Sequence, residues 1–574
     1  MKFLSKYIKK YWVSFCIAVL FLTFEAVCDL LQPTIMAKII DKGVARKDIH
    51  YVLQMGGLML AITAFGAVSA GTRSVIASIV SQNFGTELRF DLFKKIQTMS
   101  FKNLDQFDRA SLITRLTNDV TQVQVFVNGL MRIFVKSPLL AIGGLVMAVR
   151  LNLHLAVVLA IVVPIVALLI VFNMRLGLPR FSKVQKALDG VNGVMREYLS
   201  GVRVVKAFNH FDVEVAKFTK ANEHYKNQAV AANRLMSIFS PAIMLTVNLG
   251  IVVVLWIGGW GVRSGTIQVG HIIAFINYMT QISMSLMMIS MVFNMYVRAR
   301  ASAGRIGEVF LQEDSIAWDR GSFNTRTEKG RIDFENVTFA YASSTEPVLK
   351  NINLTILPGE TVGIIGSTGS GKSTLVGLIS RFYDVSSGMI RVDGEDIKQI
   401  NPKVLREKIA LVPQKNILFT GSVAENIRWG KEDATKAEVE QAARTAGAHD
   451  FIIAAPEGYE TMIGQGGVNF SGGQKQRISI ARALVKRPEI LILDDSTSAV
   501  DVTTEAKIKK ALKTYAKGLT CLLIAQRITS IMDADKIVVL DHGEIVGIGT
   551  HQELIKECSV YQEIYRSQMG KEVQ

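Results

Sequence analysis

The residues whose types and spacing suit chemistry best are Gly366, Ser367, Thr368, Gly369, Ser370, Gly371, Lys372 and Ser373, which carry the pattern GxxxxGK[ST], with Thr374 directly after them. They follow the apolar run TVGIIG and lead into TLVGLI, so the motif sits between a strand and a helix, the setting in which it cradles phosphate. Its glycines let backbone N–H groups wrap a phosphate chain, Lys372 reaches the terminal phosphates, Ser373 offers a hydroxyl to Mg²⁺, and the helix N-terminus adds its dipole. A second run, EILILDD, ends in carboxylates, and Asp494 is placed there to hold the same Mg²⁺ through water. The four cysteines, Cys16, Cys28, Cys521 and Cys558, form no CxxC pair and read as reduced structural thiols.

Such a loop needs an α/β domain to position it, and one begins near residue 331, where short β-type runs such as RIDFENVTFAY follow a polar stretch. The rest of the chain is different in kind. At 574 residues it is too long for a single core. It is 49% hydrophobic with a mean hydropathy of +0.29, and the apolar residues concentrate before about residue 300. Six segments, 12–31, 52–80, 133–149, 155–174, 238–262 and 272–297, are long enough to cross a hydrocarbon core of about 30 Å. The first reads as a retained helix because no small-residue cleavage site follows it.

Stretches 85–131 and 175–234 are rich in Lys and Arg, which places them, with both termini, on the cytoplasmic side of a cell membrane. The formal charge of +16 is assigned to these loops, not to nucleic-acid binding, because no basic stripe interleaved with aromatics appears. Lys38, Lys42, Arg46 and Lys47 resist this orientation, partly offset by Asp41 and Asp48. Apolar residues at three- and four-residue spacing predict that the helices continue through the cytoplasmic stretches. They are expected to turn back near 107–112 and 208–213, where they can touch a soluble domain. The expected organisation is a six-helix transmembrane domain with cytoplasmic extensions over 1–310, a linker over 311–330, and an α/β P-loop domain over 331–574.

Between the two chemical motifs lies NFSGGQKQRISIARAL, in which Ser471, Gly472, Gly473 and Gln474 resemble the LSGGQ signature of ABC proteins. The resemblance implies an ABC nucleotide-binding domain in which this signature binds the γ-phosphate of ATP held by the opposite subunit. It further implies that Gln414 in VPQ is the Q-loop and joins Ser373 and Asp494 around Mg²⁺, that Tyr341 stacks on adenine, and that Asp501 in SAVD belongs to the D-loop. Six helices followed by an ATPase is the order of ABC exporters of the multidrug type, which sandwich two ATP molecules between two such domains. This chain is then a half-transporter that requires a second.

Two positions depart from the family pattern. Asp495 stands where Glu is usual as general base, which withdraws the carboxylate by roughly 1.5 Å, and a misplacement of about 1 Å can cost about a hundredfold in rate. Gln526 in IAQR stands where the switch histidine is usual and cannot take up a proton near neutral pH. The pair reads as a site that holds ATP but hydrolyses it slowly, as in one half of a bacterial heterodimeric exporter. Tolerated change within a homodimer is the alternative.

In the membrane half, Glu25 and Asp29 lie one helical turn apart in the first span, costly in lipid and expected to face a cavity or partner, with gating or cation attraction and helix-packing hydrogen bonds as the two open readings. By its distance from the end of its apolar segment, Arg73 is expected to be a poor partner for Glu25. The last span is rich in methionine, with Met287 and Met291 singled out; plain helix packing is the commoner use of such residues, and a surface that accepts many shapes is the competing reading. The expected activity is efflux of amphiphilic small molecules in contact with membrane lipid. Export of a lipid or peptide, or an ATP-gated conduction or regulatory role, are the competing readings.

Overall fold

The computed structural model describes residues 3–312, 329–342, 344, 346–496, 502–515 and 518–570, and the chain divides into two compact units. The first comprises Met1–Gln97 and Asp108–Gln312. Among the described residues it contains six helices long and apolar enough to cross a membrane: Leu4–Val44, Ile49–Thr98, Arg109–Leu151, Leu153–Ala207, Phe211–Arg263 and Val269–Phe310. Each contains one of the six expected segments and runs beyond it. At about 1.5 Å per residue the longest reach about 80 Å, well over twice the hydrocarbon thickness, so the helical periodicity in the polar stretches is real helix. The helices reverse between Thr98 and Arg109 and between Ala207 and Phe211, the first reversal slightly earlier in the chain than expected. Single π-helical turns interrupt the hydrogen-bond ladder at Ile39–Val44, Arg115–Asp119 and Leu130–Phe134.

The first two helices run antiparallel in a constant register. Lys6 pairs with Asp91, Lys10 with Glu87, and Glu25 with Arg73. Core residues such as Leu155, Leu159, Phe275 and Tyr278 are fully buried between helices. The Tyr278 hydroxyl satisfies itself by donating to the Leu30 carbonyl at 2.6 Å.

The second unit comprises Thr98–Phe107 and Glu313–Gln574. Its centre is a six-stranded sheet ordered Glu544–Gly549, Lys536–Asp541, Thr361–Gly366, Thr520–Ile524, Ile490–Asp494, Ile409–Val412. All but the first strand pair in parallel. Strand Ile490–Asp494 is buried at every position, which is why it reads as an unbroken apolar run. A four-stranded sheet that includes Ile332–Phe339 and Leu349–Ile356 packs against the same core. The parallel strands deliver the phosphate loop, after Thr361–Gly366, and the carboxylates, at the end of Ile490–Asp494, to one edge of the sheet. Most of the expected linker, residues 313–328, and the D-loop residue Asp501 lie outside the described residues.

Candidate functional site

The phosphate loop can be occupied only by glycine at its bends. Gly366, Gly369 and Gly371 have positive φ. A Cβ at Gly366 would lie 2.0 Å from the Leu540 carbonyl oxygen, and one at Gly371 would lie 2.7 Å from the Leu349 side chain. Gly371 caps helix Lys372–Ile379, whose free N–H groups face the loop. Lys372 folds back so that Nζ donates to the Gly366 and Ser367 carbonyl oxygens at 2.9 and 2.7 Å. Burial pushes its ammonium below the usual lysine value, against the opposing influence of Asp494 and Asp495. A lysine in this condition gains from an anionic partner that replaces those carbonyls, so the cradle fits a phosphate chain. The Ser373 hydroxyl donates to Asp494 Oδ1 at 3.0 Å, bringing together the two oxygen ligands that suit Mg²⁺. Burial raises the Asp494 carboxyl above the ordinary aspartate value, although the Ser373 hydrogen bond opposes this.

The two family departures meet in space. Asp495 follows the strand in a left-handed conformation, φ +46°, with its N–H donating to the Ile524 carbonyl at 3.0 Å. Its Oδ2 accepts from Gln526 Nε2 at 2.8 Å and from Gln414 Nε2 at 3.3 Å. The carboxylate that the family resemblance makes the candidate general base is thus held by two amides that do not titrate near neutral pH. Gln568 steadies the Gln526 loop, donating to the Gln526 carbonyl at 2.7 Å and accepting from the Ile528 N–H at 2.8 Å.

Tyr341 is half-buried, its hydroxyl 3.0 Å from Thr374 Oγ1 and its ring 5.2 Å from that of Tyr383. Tyr383 in turn donates to Asp105 Oδ2 at 2.6 Å and lies 6.0 Å from the Phe101 ring, both within the segment Thr98–Phe107. Ser471 and Gln474 close a capping box at the start of helix Gly472–Leu484. The Ser471 hydroxyl accepts from the Gln474 N–H, and the Gln474 side chain accepts from the Ser471 N–H. Ser471 and Gly472 remain exposed, leaving the remaining N–H groups of that helix start open to another surface.

In the helical unit, Glu25 is buried and its Oε2 accepts from Arg73 Nε at 2.8 Å. This corrects the expectation that Arg73 is a poor partner. Depth was reckoned from the end of the apolar segment, whereas the helices continue far past it and the constant antiparallel register places residues 25 and 73 side by side. Lys136 completes the cluster, with Nζ 2.5 Å from Glu25 Oε1 and 3.0 Å from Asp29 Oδ2. Met284, Met288 and Met295 line a cavity beside this cluster. Met287 and Met291 lie outside its lining and are exposed on the single chain. Sequence reasoning missed Lys136, although a lysine inside an apolar segment next to two unexplained carboxylates was the signal for it. Tyr383 and Asp105 left no such trace, since nothing local distinguishes them.

Residues 15–286 match the family model described as ABC transporter transmembrane region, and residues 349–498 match the one described as ABC transporter. The chain is 42% identical to an uncharacterized ABC transporter ATP-binding protein, YfiB, of Bacillus subtilis, over 99% of its own length and 98% of the relative's. A Staphylococcus aureus protein provisionally named a multidrug export ATP-binding/permease protein is 37% identical over 86% of both chains. A solved bacterial Atm1-family ABC exporter with ATP bound superposes with a TM-score of 0.80 at 26% identity, covering 99% of each chain.

Proposed function

This chain belongs to the ABC transporter family as an ATP-hydrolysing exporter half, and on that premise we propose that it works in a heterodimer in which its own ATP site is the slow one. The cargo is an amphiphilic small molecule, a reading supported by the named multidrug-type relative and by the methionine-lined cavity. The helical unit spans the cell membrane with both termini cytoplasmic, as the Lys and Arg distribution favours.

The observation that carries the slow-site reading is the Gln526–Asp495 hydrogen bond of 2.8 Å. The groups that bind are present: the glycine cradle, Lys372, Ser373, Asp494, and Tyr341 for the base. MgATP supplies the phosphoryl group and the charge that these residues hold. The groups that would manage the proton of an attacking water are a shortened carboxylate and an amide that neither accepts nor releases one. Affinity therefore survives where rate does not. Meanwhile Ser471, Gly472, Gly473 and Gln474 present an open helix start to the nucleotide of the partner, whose site turns over. Nucleotide retained on the Gly366 loop keeps the two ATP-binding domains biased toward contact between cycles.

Purification from native membrane followed by sequencing of any second subunit tests the assembly directly. The expected result is a distinct half-transporter carrying Glu and His at the positions corresponding to 495 and 526. A verified homodimer with brisk ATP turnover abolished by Asp495→Asn would overturn the reading.

A further inference from the structure

The helical unit carries an open-sided cavity of about 920 Å³ whose charges do not balance. Three cations, Arg73, Arg132 and Lys136, line it with two carboxylates, Glu25 and Asp29. Both carboxylates are engaged, Glu25 by Arg73 and Lys136, and Asp29 by Lys136. One positive charge is left over. Arg132, on the π-helical turn Leu130–Phe134, forms no ion pair among the described residues. Arg73 is 7% exposed, and its Nη1 is buried without a hydrogen-bond partner among the described residues. A buried cationic donor without an acceptor is unfavourable in a low-dielectric site, and the natural relief is an anion. Gln281, which also lines the cavity, has its Oε1 buried without a partner among the described residues, so a donor is wanted in the same cavity.

Resting on the exporter reading above, we propose that this cavity selects amphiphiles that carry one net negative charge, a carboxylate or phosphate head, with an N–H or O–H nearby and an apolar body against Met284, Met288 and Met295. The carboxylates Glu25 and Asp29 do not attract cationic cargo, because Arg73 and Lys136 neutralise them. They hold the two cations in place, and the surplus guanidinium of Arg132, together with the unpartnered Nη1 of Arg73, meets the head. The flexible thioethers accept bodies of different shape. Head-group charge is therefore selected while body shape is tolerated.

The test uses the full-length dimer in nanodiscs without nucleotide and three fluorescent probes sharing one body: 11-(dansylamino)undecanoic acid, its methyl ester and its trimethylammonium analogue. The acid is expected to bind at least tenfold more tightly than the other two. Arg132→Gln, at an exposed unpaired position, should weaken acid binding about tenfold and leave the ester within twofold. Glu25→Gln adds net positive charge and should tighten acid binding severalfold, an increase that mere damage to packing does not produce. Tighter binding of the trimethylammonium probe, or acid binding unmoved by Arg132→Gln, would overturn the proposal. Phosphatidylglycerol in the nanodisc that competes with the acid identifies a lipid head as the source. Absence of competition identifies a free amphiphile, and either supports the assignment. Acid selectivity without ATP-dependent uptake into inverted vesicles would leave the cavity assignment standing and remove the exporter reading.

Discussion

If the proposed slow site is limited by proton handling, replacing Asp495 by Glu and Gln526 by His together should make it faster. The first change extends the carboxylate by roughly 1.5 Å, and a shortfall of about 1 Å is enough to cost about a hundredfold. The second removes the amide that now grips Asp495 Oδ2 at 2.8 Å and supplies a group that titrates near neutral pH. A hydrogen bond to a charged carboxylate is worth about 1.5–3 kcal/mol, so Asp495→Glu alone leaves the longer carboxylate still held and should gain less than about tenfold. The pair should gain about a hundredfold, equivalent to about 2.7 kcal/mol of barrier at about 1.36 kcal/mol per factor of ten. The two changes are therefore non-additive, as expected for side chains in direct contact. One cost opposes the gain. Residue 495 has φ +46°, a conformation Asp tolerates better than Glu, so the variant should lose up to about 1 kcal/mol of stability. The assay is photolabelling of the trapped dimer with 8-azido-ATP during steady turnover, with the subunits separated and their ADP and ATP content measured. In the parent dimer this chain should retain mainly ATP; in the double variant ADP should appear on it. Equal ADP content on both subunits of the parent would show that there is no retained nucleotide, and an unchanged ratio in the variant would refute the proton-handling argument.

Lys372→Ala removes the charge contact to the terminal phosphates and should weaken nucleotide binding to this chain by about 2 kcal/mol, roughly thirtyfold, read by equilibrium binding of a fluorescent ATP analogue. Gly473→Asp, which sets a negative charge in the signature helix start, should nearly silence ATPase activity of the dimer, whereas Asp495→Asn should leave much of it; equal losses would refute the proposed division into strong and slow sites. Tyr383→Phe deletes only the hydroxyl that donates to Asp105 at 2.6 Å and should raise amide hydrogen exchange over residues 98–107 about tenfold, a loss of about 1.4 kcal/mol, with nucleotide affinity nearly unchanged.

Much of the ATP site was legible because its residues are contiguous and answer to local rules. Gly366, Gly369 and Gly371 mark positive φ, the flanking runs mark strand and helix, and Ser471 with Gln474 carries the capping-box spacing. The phosphate loop and Asp494 are 121 residues apart, yet an apolar strand ending in carboxylates already suggested the partnership that the Ser373–Asp494 bond makes. The departures at 495 and 526 were visible as residue types. That they touch each other was not.

By itself the sequence determined the six long apolar helices, the α/β ATP-binding domain and the glycine-rich loop that leads into Lys372 and Ser373, since hydrophobic periodicity and glycine spacing act over a few residues. Only the tertiary structure decided which charges pair. Glu25 meets Arg73 and Lys136 across 48 and 111 residues because an antiparallel register and a packed helix bring them together. The same folding leaves Arg73 Nη1 without an acceptor, and joins Tyr383 to Asp105 across 278 residues. Such contacts are set by how whole helices and sheets pack, and a buried charge must find its counterpart in that packing, wherever along the chain the partner lies.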